Sequence, residues 1–200
     1  MGVTSGEVSV RSTVAAALVE GISDQRAIEA LAERRGQNLE AEGVSIVSIG
    51  GSKNITRFLE TFGPRGLDVR LAGLCDAAQE ADFRDGLERI GLGSRLTRDG
   101  MERLGFFVCV DDLEDELIRS LGVAAVERVV EAQGELGSFR TFQRQVEWRG
   151  RSAEEQLRRF FGTYRGRKIR SAPALVEALE PSKVPRPLEG VLAYVRGTDA

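Results

Sequence analysis

Acidic side chains stand at the ends of three apolar stretches, and this pattern is suited to binding a divalent cation. Glu20, Asp76 and Asp112 each follow or complete such a stretch. Near-continuous apolar stretches are typical of parallel strands covered on both faces, and ligands bind at the carboxyl ends of such strands. Carboxylates gathered there repel one another unless a cation lies between them. Because the donors would be oxygen atoms, the sequence predicts a site for magnesium, manganese or calcium.

Further acids accompany these three positions. Asp24 lies four residues after Glu20, in the first turn of a predicted helix, where its carboxylate can face the same cleft. The alternative is that Asp24 caps the helix and Glu20 makes an ordinary ion pair. Residues 111–116 hold five acids in six positions, which is more than the helix macrodipole explains. The candidate metal ligands are Glu20, Asp24, Asp76, Asp112, Glu114 and Asp115.

A basic segment that also contains aromatic residues covers residues 140–170. It holds ten Arg or Lys residues against three Glu residues, and it includes Phe142, Trp148, Phe160, Phe161 and Tyr164. Such a segment can bind a phosphate backbone and stack on bases. It can equally be a solvated helix face with aromatic residues in the core. The candidate nucleic-acid contacts are Arg140, Arg144, Arg149, Arg165, Arg167 and Arg170.

The composition excludes several kinds of site. The chain has no histidine, which rules out a Ser-His-Asp triad, a Cys-His pair and a histidine zinc site. Cys75 and Cys109 lie in predicted strands, where we expect buried free thiols. No apolar run approaches the roughly 20 residues that span a bilayer, and the first residues lack a signal-peptide pattern. We therefore expect a cytoplasmic protein that does not enter a membrane.

Two more segments have a functional and a structural interpretation. Residues 50–54 form a Gly-Gly-Ser-Lys-Asn turn between a strand and a helix, which can bind phosphate or serve only as a tight turn. The turn does not match the nucleotide-binding phosphate loop. Lys168 lies in a predicted Gly-bounded loop before a helix that begins at Pro173, so its ammonium group can stabilise charge on a phosphate or remain on the surface.

The alternation of predicted strands and helices indicates an α/β fold. The strands are predicted at residues 14–19, 44–49, 69–76 and 106–110. Helices between them imply a mostly parallel sheet flanked by helices on both faces. Apolar residues recur at helical spacing from about residue 120 onward. The predicted organisation is therefore a flexible tail at residues 1–12, an α/β core at 13–120, and a helical C-terminal extension at 121–200.

Two groups of residues resemble a known family. The sequence Leu-Val-Glu-Gly-Ile-Ser-Asp at residues 18–24, a strand ending in Asp76, and the acids of residues 112–115 together resemble the Toprim domain of topoisomerases, primases and related nucleases. The Gly-Arg-Lys sequence at residues 166–168, followed by Ala172 and a helix, resembles the C-terminal part of the overcoming-lysogenization-defect (OLD) nucleases.

The resemblance implies a Toprim-like (Rossmann-like) catalytic core with a helical extension, and one or two Mg²⁺ or Mn²⁺ ions that support phosphodiester hydrolysis. The substrate would be DNA, and a nuclease that processes RNA is a close variant of this prediction. Glu20 would be both a ligand and a catalytic residue, and Lys168 a catalytic residue that faces the metal. Asp24 would be an added ligand, and Asp76 would match the first Asp of the family's D-x-D motif. Glu114, with Asp112 or Asp115 nearby, would match the acid after the next strand.

The sequence departs from the family pattern at one position, where Ala78 replaces the second Asp of D-x-D and Glu80 is the candidate substitute. The ATPase module that precedes Toprim in OLD proteins has no counterpart in the sequence, which predicts a stand-alone domain or an ATPase on a separate subunit. A homodimer is a further expectation. The alternatives to a nuclease are a non-catalytic nucleic-acid-binding module and a subunit that docks on such an ATPase.

Overall fold

The computed structural model describes residues 13–198, apart from the side chain of Arg165, so the predicted tail at residues 1–12 lies outside the described residues. Four strands form one parallel sheet with the order β2-β1-β3-β4. The strands are β1 (Ala15–Val19), β2 (Val44–Ser48), β3 (Arg70–Cys75) and β4 (Phe106–Val108). The predicted parallel α/β fold is confirmed, and the strand ends differ from the predicted ones by at most two residues.

Ten helices flank the sheet in the described part of the chain. They are α1 (Ile22–Arg34), α2 (Ile55–Phe62), α3 (Glu80–Arg89), α4 (Arg98–Arg103), α5 (Leu113–Leu121), α6 (Val123–Ala132), α7 (Leu136–Gln143), α8 (Ala153–Gly162), α9 (Arg165–Ala178) and α10 (Arg186–Arg196). None of the described helices is long and apolar enough to cross a membrane.

The strand register brings the carboxyl ends of β1, β3 and β4 to one edge of the sheet. Val19 pairs with Leu74, and Cys75 pairs with Val108. Since all neighbouring strands are parallel, the residues that follow each strand emerge on the same side. The acids after β1, β3 and β4 are therefore neighbours, although they are far apart along the chain.

Alternate side chains of the strands pack into two hydrophobic cores, one on each face of the sheet. Ala17 and Val19 of β1 face α1 and the helices α5 to α10, whereas Leu18 faces α2 and α3. The helices after residue 120 thus share one core with α1 and with the sheet. The division between a core at 13–120 and an extension at 121–200 stays a prediction. Cys75 and Cys109 are buried free thiols, as expected.

One predicted boundary is wrong. Pro173 does not begin a helix but lies inside α9, which begins at Arg165, so Lys168 is on a helix rather than in a loop. A proline in a helix removes one N–H donor and crowds the preceding turn. Packing compensates for this, because Leu175 and Val176 are fully buried and Arg34 of α1 donates to the carbonyl oxygen of Val176 at 2.9 Å.

Gly73 in β3 is expected to be intolerant of any side chain. A Cβ atom at this position would lie 2.4 Å from Cδ1 of the buried Phe106 ring. We expect Gly73→Ala to lower the free energy of unfolding by about 1–3 kcal/mol through overpacking, as measured by urea denaturation. The matched control is Gly137→Ala in α7, where an added Cβ meets nothing within 4 Å and helix propensity favours alanine. Equal urea midpoints for the two variants would contradict this account of the sheet.

Candidate active site

The carboxylate at the end of β1 is joined directly to the end of β3. The backbone N–H of Asp76 donates to Oε1 of Glu20 at 3.0 Å. Both side chains are partly buried where the strands end. The hydrogen bond holds the Glu20 carboxylate beside Asp76, which is the convergence that the parallel sheet predicts.

Asp24 closes a helical turn and also lies within the acidic cluster. The backbone N–H of Gly21 donates to Oδ2 of Asp24 at 2.9 Å, so the carboxylate closes the first turn of α1. The same carboxyl interacts electrostatically with Glu114 and Glu20. Asp24 therefore stabilises its helix and also adds negative charge to the cluster at the strand ends.

The acids after β4 are held by basic side chains from the C-terminal helices. Oδ1 of Asp112 accepts the backbone N–H of Asp115 at 2.8 Å and caps α5. Its Oδ2 accepts Nε of Arg158, from α8, at 2.8 Å. Arg158 also lies 3.3 Å from the carboxylate of Asp111. The pairing of Asp112 with Arg158 was not evident from the sequence.

Glu114 and Lys168 form the most enclosed ion pair of the cluster. Glu114 is 4% exposed, and Nζ of Lys168 donates to its Oε2 at 2.7 Å. Burial lowers the pKa of Lys168, but the interactions with Glu114, Asp112 and Asp76 outweigh this and raise the pKa overall. The lysine therefore stays charged at neutral pH and neutralises one of the carboxylates.

Asp115 is oriented differently from the other predicted ligands. Its Oδ2 accepts Nε of Arg119 at 2.7 Å within α5. Neighbouring Glu116 is buried, accepts the backbone N–H of Val110 at 2.8 Å, and also contacts Arg119. The structure thus brings five of the six predicted ligands together. The sixth, Asp115, forms an ion pair with Arg119 of its own helix. Their role as metal ligands stays a prediction.

Burial and electrostatic repulsion together oppose the ionisation of this cluster. Burial, reinforced by Asp24, Glu20, Asp112 and Glu114, raises the pKa of Asp76 to about 8. Burial and the charge of Glu114 raise the pKa of Asp24 to about 7. Burial also raises the pKa of Glu20, against the lowering effect of its hydrogen bond from Asp76. The protein holds these acids together although ionising them all is unfavourable.

The donor set fits a divalent cation in its chemistry, but it is not preassembled. In the part of the chain that the structure describes, two cationic side chains, Lys168 and Arg158, pair with these five carboxylates. All of the donors are oxygen atoms, which hard divalent ions prefer. Within residues 13–198, no three acidic or thiol side chains are yet arranged to hold one ion. Binding would therefore require side-chain movement.

The position that departs from the D-x-D pattern leaves a gap in this cluster. Ala78 is exposed in the short turn that follows Asp76. The candidate substitute Glu80 accepts Nη2 of Arg98 at 2.6 Å and lies 3.7 Å from Arg84. Glu80 is therefore paired with arginines and adds no free carboxylate.

The turn at residues 50–54 is closed by contacts of its own. Ser52 and Lys53 donate to Asp82 at 2.6 and 2.7 Å. The side chain of Asn54 donates to the carbonyl oxygen of Ile49 at 3.0 Å. These contacts favour the structural interpretation, in which the segment is a tight turn and Lys53 pairs with an acidic side chain.

Several of the predicted nucleic-acid contacts are engaged within the protein. Arg140 pairs with Glu127 at 2.7 Å. The guanidinium of Arg167 lies 3.8 Å from the centre of the Phe160 ring and pairs with Glu135, which also pairs with Arg170.

The remaining candidates lie near the connection between α7 and α8 or at the start of α9. Arg144 and Arg149 are exposed, and Nε of Arg149 donates to the carbonyl oxygen of Arg144 at 2.8 Å. Arg165 begins α9, and its side chain lies outside the described part of the structure. Nucleic-acid binding by all six arginines stays a prediction.

The aromatic residues of this segment divide into two groups. Phe142, Phe160 and Phe161 are buried, as the core interpretation predicts. Trp148 is partly buried and stacks on Phe142, with ring centres 5.1 Å apart. Tyr164 is exposed. Only the last two therefore offer ring surface to a ligand.

A basic groove lies beside the carboxylates, and it was not predicted from the sequence. Its volume is about 470 Å³, and its lining includes Asp112 and Lys168 together with Trp148, Arg151, Arg158 and Arg159. The spacing of residues 151, 155, 158 and 162 at three, four and seven positions could have indicated one helix face. The partner of that face could not be predicted, since it lies more than forty residues away along the chain.

Comparison with known proteins agrees with this geometry. Residues 14–77 match the family described as overcoming lysogenization defect protein-like, TOPRIM domain. The chain is similar to the C-terminal region of the OLD protein of Xanthomonas campestris pv. campestris, with 26% identity and a TM-score of 0.71, over 92% of this chain and 95% of that one. The C-terminal region of the Burkholderia pseudomallei OLD protein has the same fold, with 22% identity and a TM-score of 0.69, over 92% and 98% of the two chains. No curated protein matches the chain. The resemblance inferred from the sequence is thereby confirmed.

The metal-free protein is expected to lose stability as the pH rises. Asp76 keeps its proton up to about pH 8 in the folded state, whereas an unfolded chain releases it near pH ~4. The folded state binds more protons across that window, so the free energy of unfolding falls as the pH rises through it. In EDTA at pH 8, we expect Asp76→Asn to be about 2 kcal/mol more stable than the wild type, and the difference to vanish at pH 4, as measured by urea denaturation.

The matched control for this experiment is Asp85→Asn, because Asp85 is 74% exposed on α3. Its stability curve should run parallel to that of the wild type. If the Asp76→Asn curve also ran parallel to the wild-type curve, charge repulsion at Asp76 would be excluded as a determinant of stability.

Proposed function

We propose, on the basis of its OLD-like Toprim fold, that this chain is a metal-dependent nuclease that hydrolyses phosphodiester bonds of DNA. The family match by itself indicates a nuclease-type or other nucleic-acid-related role. The observation that supports the finer statement is the convergence of Glu20, Asp24 and Asp76 with the acids after β4. A bound cation would offset the repulsion among these carboxylates at the carboxyl edge of the parallel sheet.

Mg²⁺ or Mn²⁺, as one or two ions, would be held by Glu20, Asp24 and Asp76 together with Asp112 and Glu114. When bound, such an ion polarises the phosphoryl group and favours deprotonation of water. Its binding would also keep Asp24 and Asp76 ionised at neutral pH, against the burial and the repulsion that raise their pKa values. Stabilisation of the protein by Mn²⁺ should therefore grow between pH 6 and 8.

The side chains of the cluster have distinct roles in this proposal. One oxygen of Glu20 is fixed by the backbone N–H of Asp76, which leaves the other oxygen to accept a proton from water. Its raised pKa makes it a better base than an ordinary glutamate. Lys168 is charged and positioned by Glu114, so its ammonium group can donate to a phosphate oxygen as negative charge develops.

The second candidate is a nucleic-acid-binding module without catalysis. Ala78 and the engagement of Glu80 by Arg98 favour it, because the usual second Asp is missing and no neighbour replaces it. Lys168 and Arg158 would then serve as permanent counter-ions for the carboxylates. Such a module would bind nucleic acid in EDTA as well as it does with metal.

DNA is the proposed nucleic-acid partner, and RNA in its place is a close variant of the proposal. A separate ATPase subunit and a homodimer stay predictions for which size-exclusion chromatography is the direct measurement. A cytoplasmic location also stays a prediction.

Glu20→Gln tests the proposed function. We expect the variant to cleave supercoiled plasmid at least about 100-fold more slowly than the wild type in Mg²⁺ or Mn²⁺, since the amide cannot accept the proton. The matched control is Glu60→Gln on α2, an exposed glutamate on the opposite face of the sheet, which should cleave normally. Thermal melts of all three proteins establish that each is folded.

Equal cleavage by Glu20→Gln and the wild type would overturn the assignment of Glu20. Absence of cleavage by folded wild-type protein with either metal would instead favour the non-catalytic binding module.

A further inference from the structure

The groove beside the carboxylates lies among the connection between α7 and α8, one face of α8 and the first turns of α9. Arg151, Arg158 and Arg159 contribute positive charge along it, and Trp148 contributes aromatic surface. Its volume of about 470 Å³ lies within the range of sites for small organic ligands. The groove is therefore large enough for a nucleotide unit rather than for a single small ion.

Two of these arginines are available to an anion. Arg159 is exposed and makes no ion pair or side-chain hydrogen bond with any other described residue. Arg151 approaches only Glu155, at 3.9 Å on the exposed surface, a contact that contributes little. Arg158 differs, because Asp112 and Asp111 already engage it. The groove thus combines one fixed arginine with two that lack a strong partner.

Trp148 presents a preformed stacking surface. Part of its ring packs on Phe142, with an angle of 26° between the two ring planes. Its backbone is fixed as well, because its carbonyl oxygen accepts Nε2 of the buried Gln156 at 2.7 Å. Trp148 also belongs to the lining of the groove. An aromatic ring held in this way can stack on a base with little loss of conformational entropy.

The groove and the carboxylate cluster are continuous. Asp112 and Lys168 belong to the lining of the groove, and the same two side chains belong to the cluster that contains Asp76 and Glu114. A strand that lies in the groove is therefore directed toward the carboxylates.

We propose that this groove binds an unpaired stretch of a nucleic-acid strand next to the phosphodiester that is cleaved. Backbone phosphates lie at Arg151 and Arg159, and one base stacks on Trp148. The strand is unpaired because a base inside a duplex has both faces covered by its neighbours and cannot lie on an indole ring. The position of the groove next to the cleaved bond rests on the proposed function, whereas its occupancy by a strand does not.

Trp148 makes the proposal directly measurable, since it is the only tryptophan of the chain. Its fluorescence is followed while single-stranded DNA, RNA of the same sequence and a blunt DNA duplex, each of twelve or so nucleotides per strand, are added in EDTA at low salt. We expect quenching by one or both single strands and little by the duplex. Whichever single strand, DNA or RNA, binds with the higher affinity identifies the sugar that the groove prefers.

Variants assign the binding to the groove. Arg151→Ala and Arg159→Ala should each weaken single-strand binding about 5- to 10-fold and lower the slope of log affinity against log salt by ~0.7. The matched control, Arg65→Ala, removes an exposed arginine after α2, on the other face of the sheet, and should bind like the wild type. Trp148→Leu should lower the affinity for single strands about 10-fold. Because this variant lacks the tryptophan, its binding is measured by the fluorescence anisotropy of a labelled oligonucleotide.

Several outcomes would overturn the proposal. These are the absence of any single-strand binding, binding without a change in Trp148 fluorescence, equal quenching by the duplex, and wild-type affinity of Arg159→Ala. The last test does not depend on Trp148→Leu being folded, because Arg159 is exposed. Quenching by single strands without any cleavage by the wild type would show that the nuclease assignment has failed while the groove stands, whereas metal-dependent cleavage without quenching would show the reverse.

Discussion

Repulsion among carboxylates at one edge of the sheet is the constraint on which the rest of this structure depends. Parallel pairing of β1 with β3, and of β3 with β4, forces Glu20, Asp76 and Asp112 to one edge. Burial at this edge, reinforced by the neighbouring carboxylates, raises the pKa of Asp76 to about 8, so that ionising all of these acids is unfavourable. Holding these acids together therefore lowers the stability of the metal-free fold as the pH rises.

The C-terminal helices are organised around this charge. Lys168 on α9 reaches Glu114, and Arg158 on α8 reaches Asp112, so two later helices supply the counter-charges for the acids that follow β4. Ion pairs of this kind contribute less to stability than to position, since removing charges from water is costly. The hydrophobic contacts of α9 with α1 provide the stability that allows these cations to be held in place.

Some of the site could be predicted from the sequence because it follows from local rules. Apolar runs that end in Glu20 and Asp76 predicted both the strands and the edge at which the acids meet. The helical position of Lys168 could not be predicted in this way, since the glycine and the proline around it indicate a loop, and long-range burial of Leu175 and Val176 overrides that signal. The free Arg159 and the stacking of Trp148 on Phe142 depend equally on contacts between distant segments, which no local pattern records.

The shared core of α1 and the C-terminal helices has a consequence for the order in which the protein is made. Domains fold as units as they leave the ribosome, but α1 packs on α9, which begins at Arg165. The acidic strand ends therefore emerge long before their lysine and arginine partners are synthesised. A nascent chain that lacks α9 would expose a hydrophobic sheet face and an uncompensated acidic edge together, so the paired carboxylate cluster can form only after α9 has been synthesised.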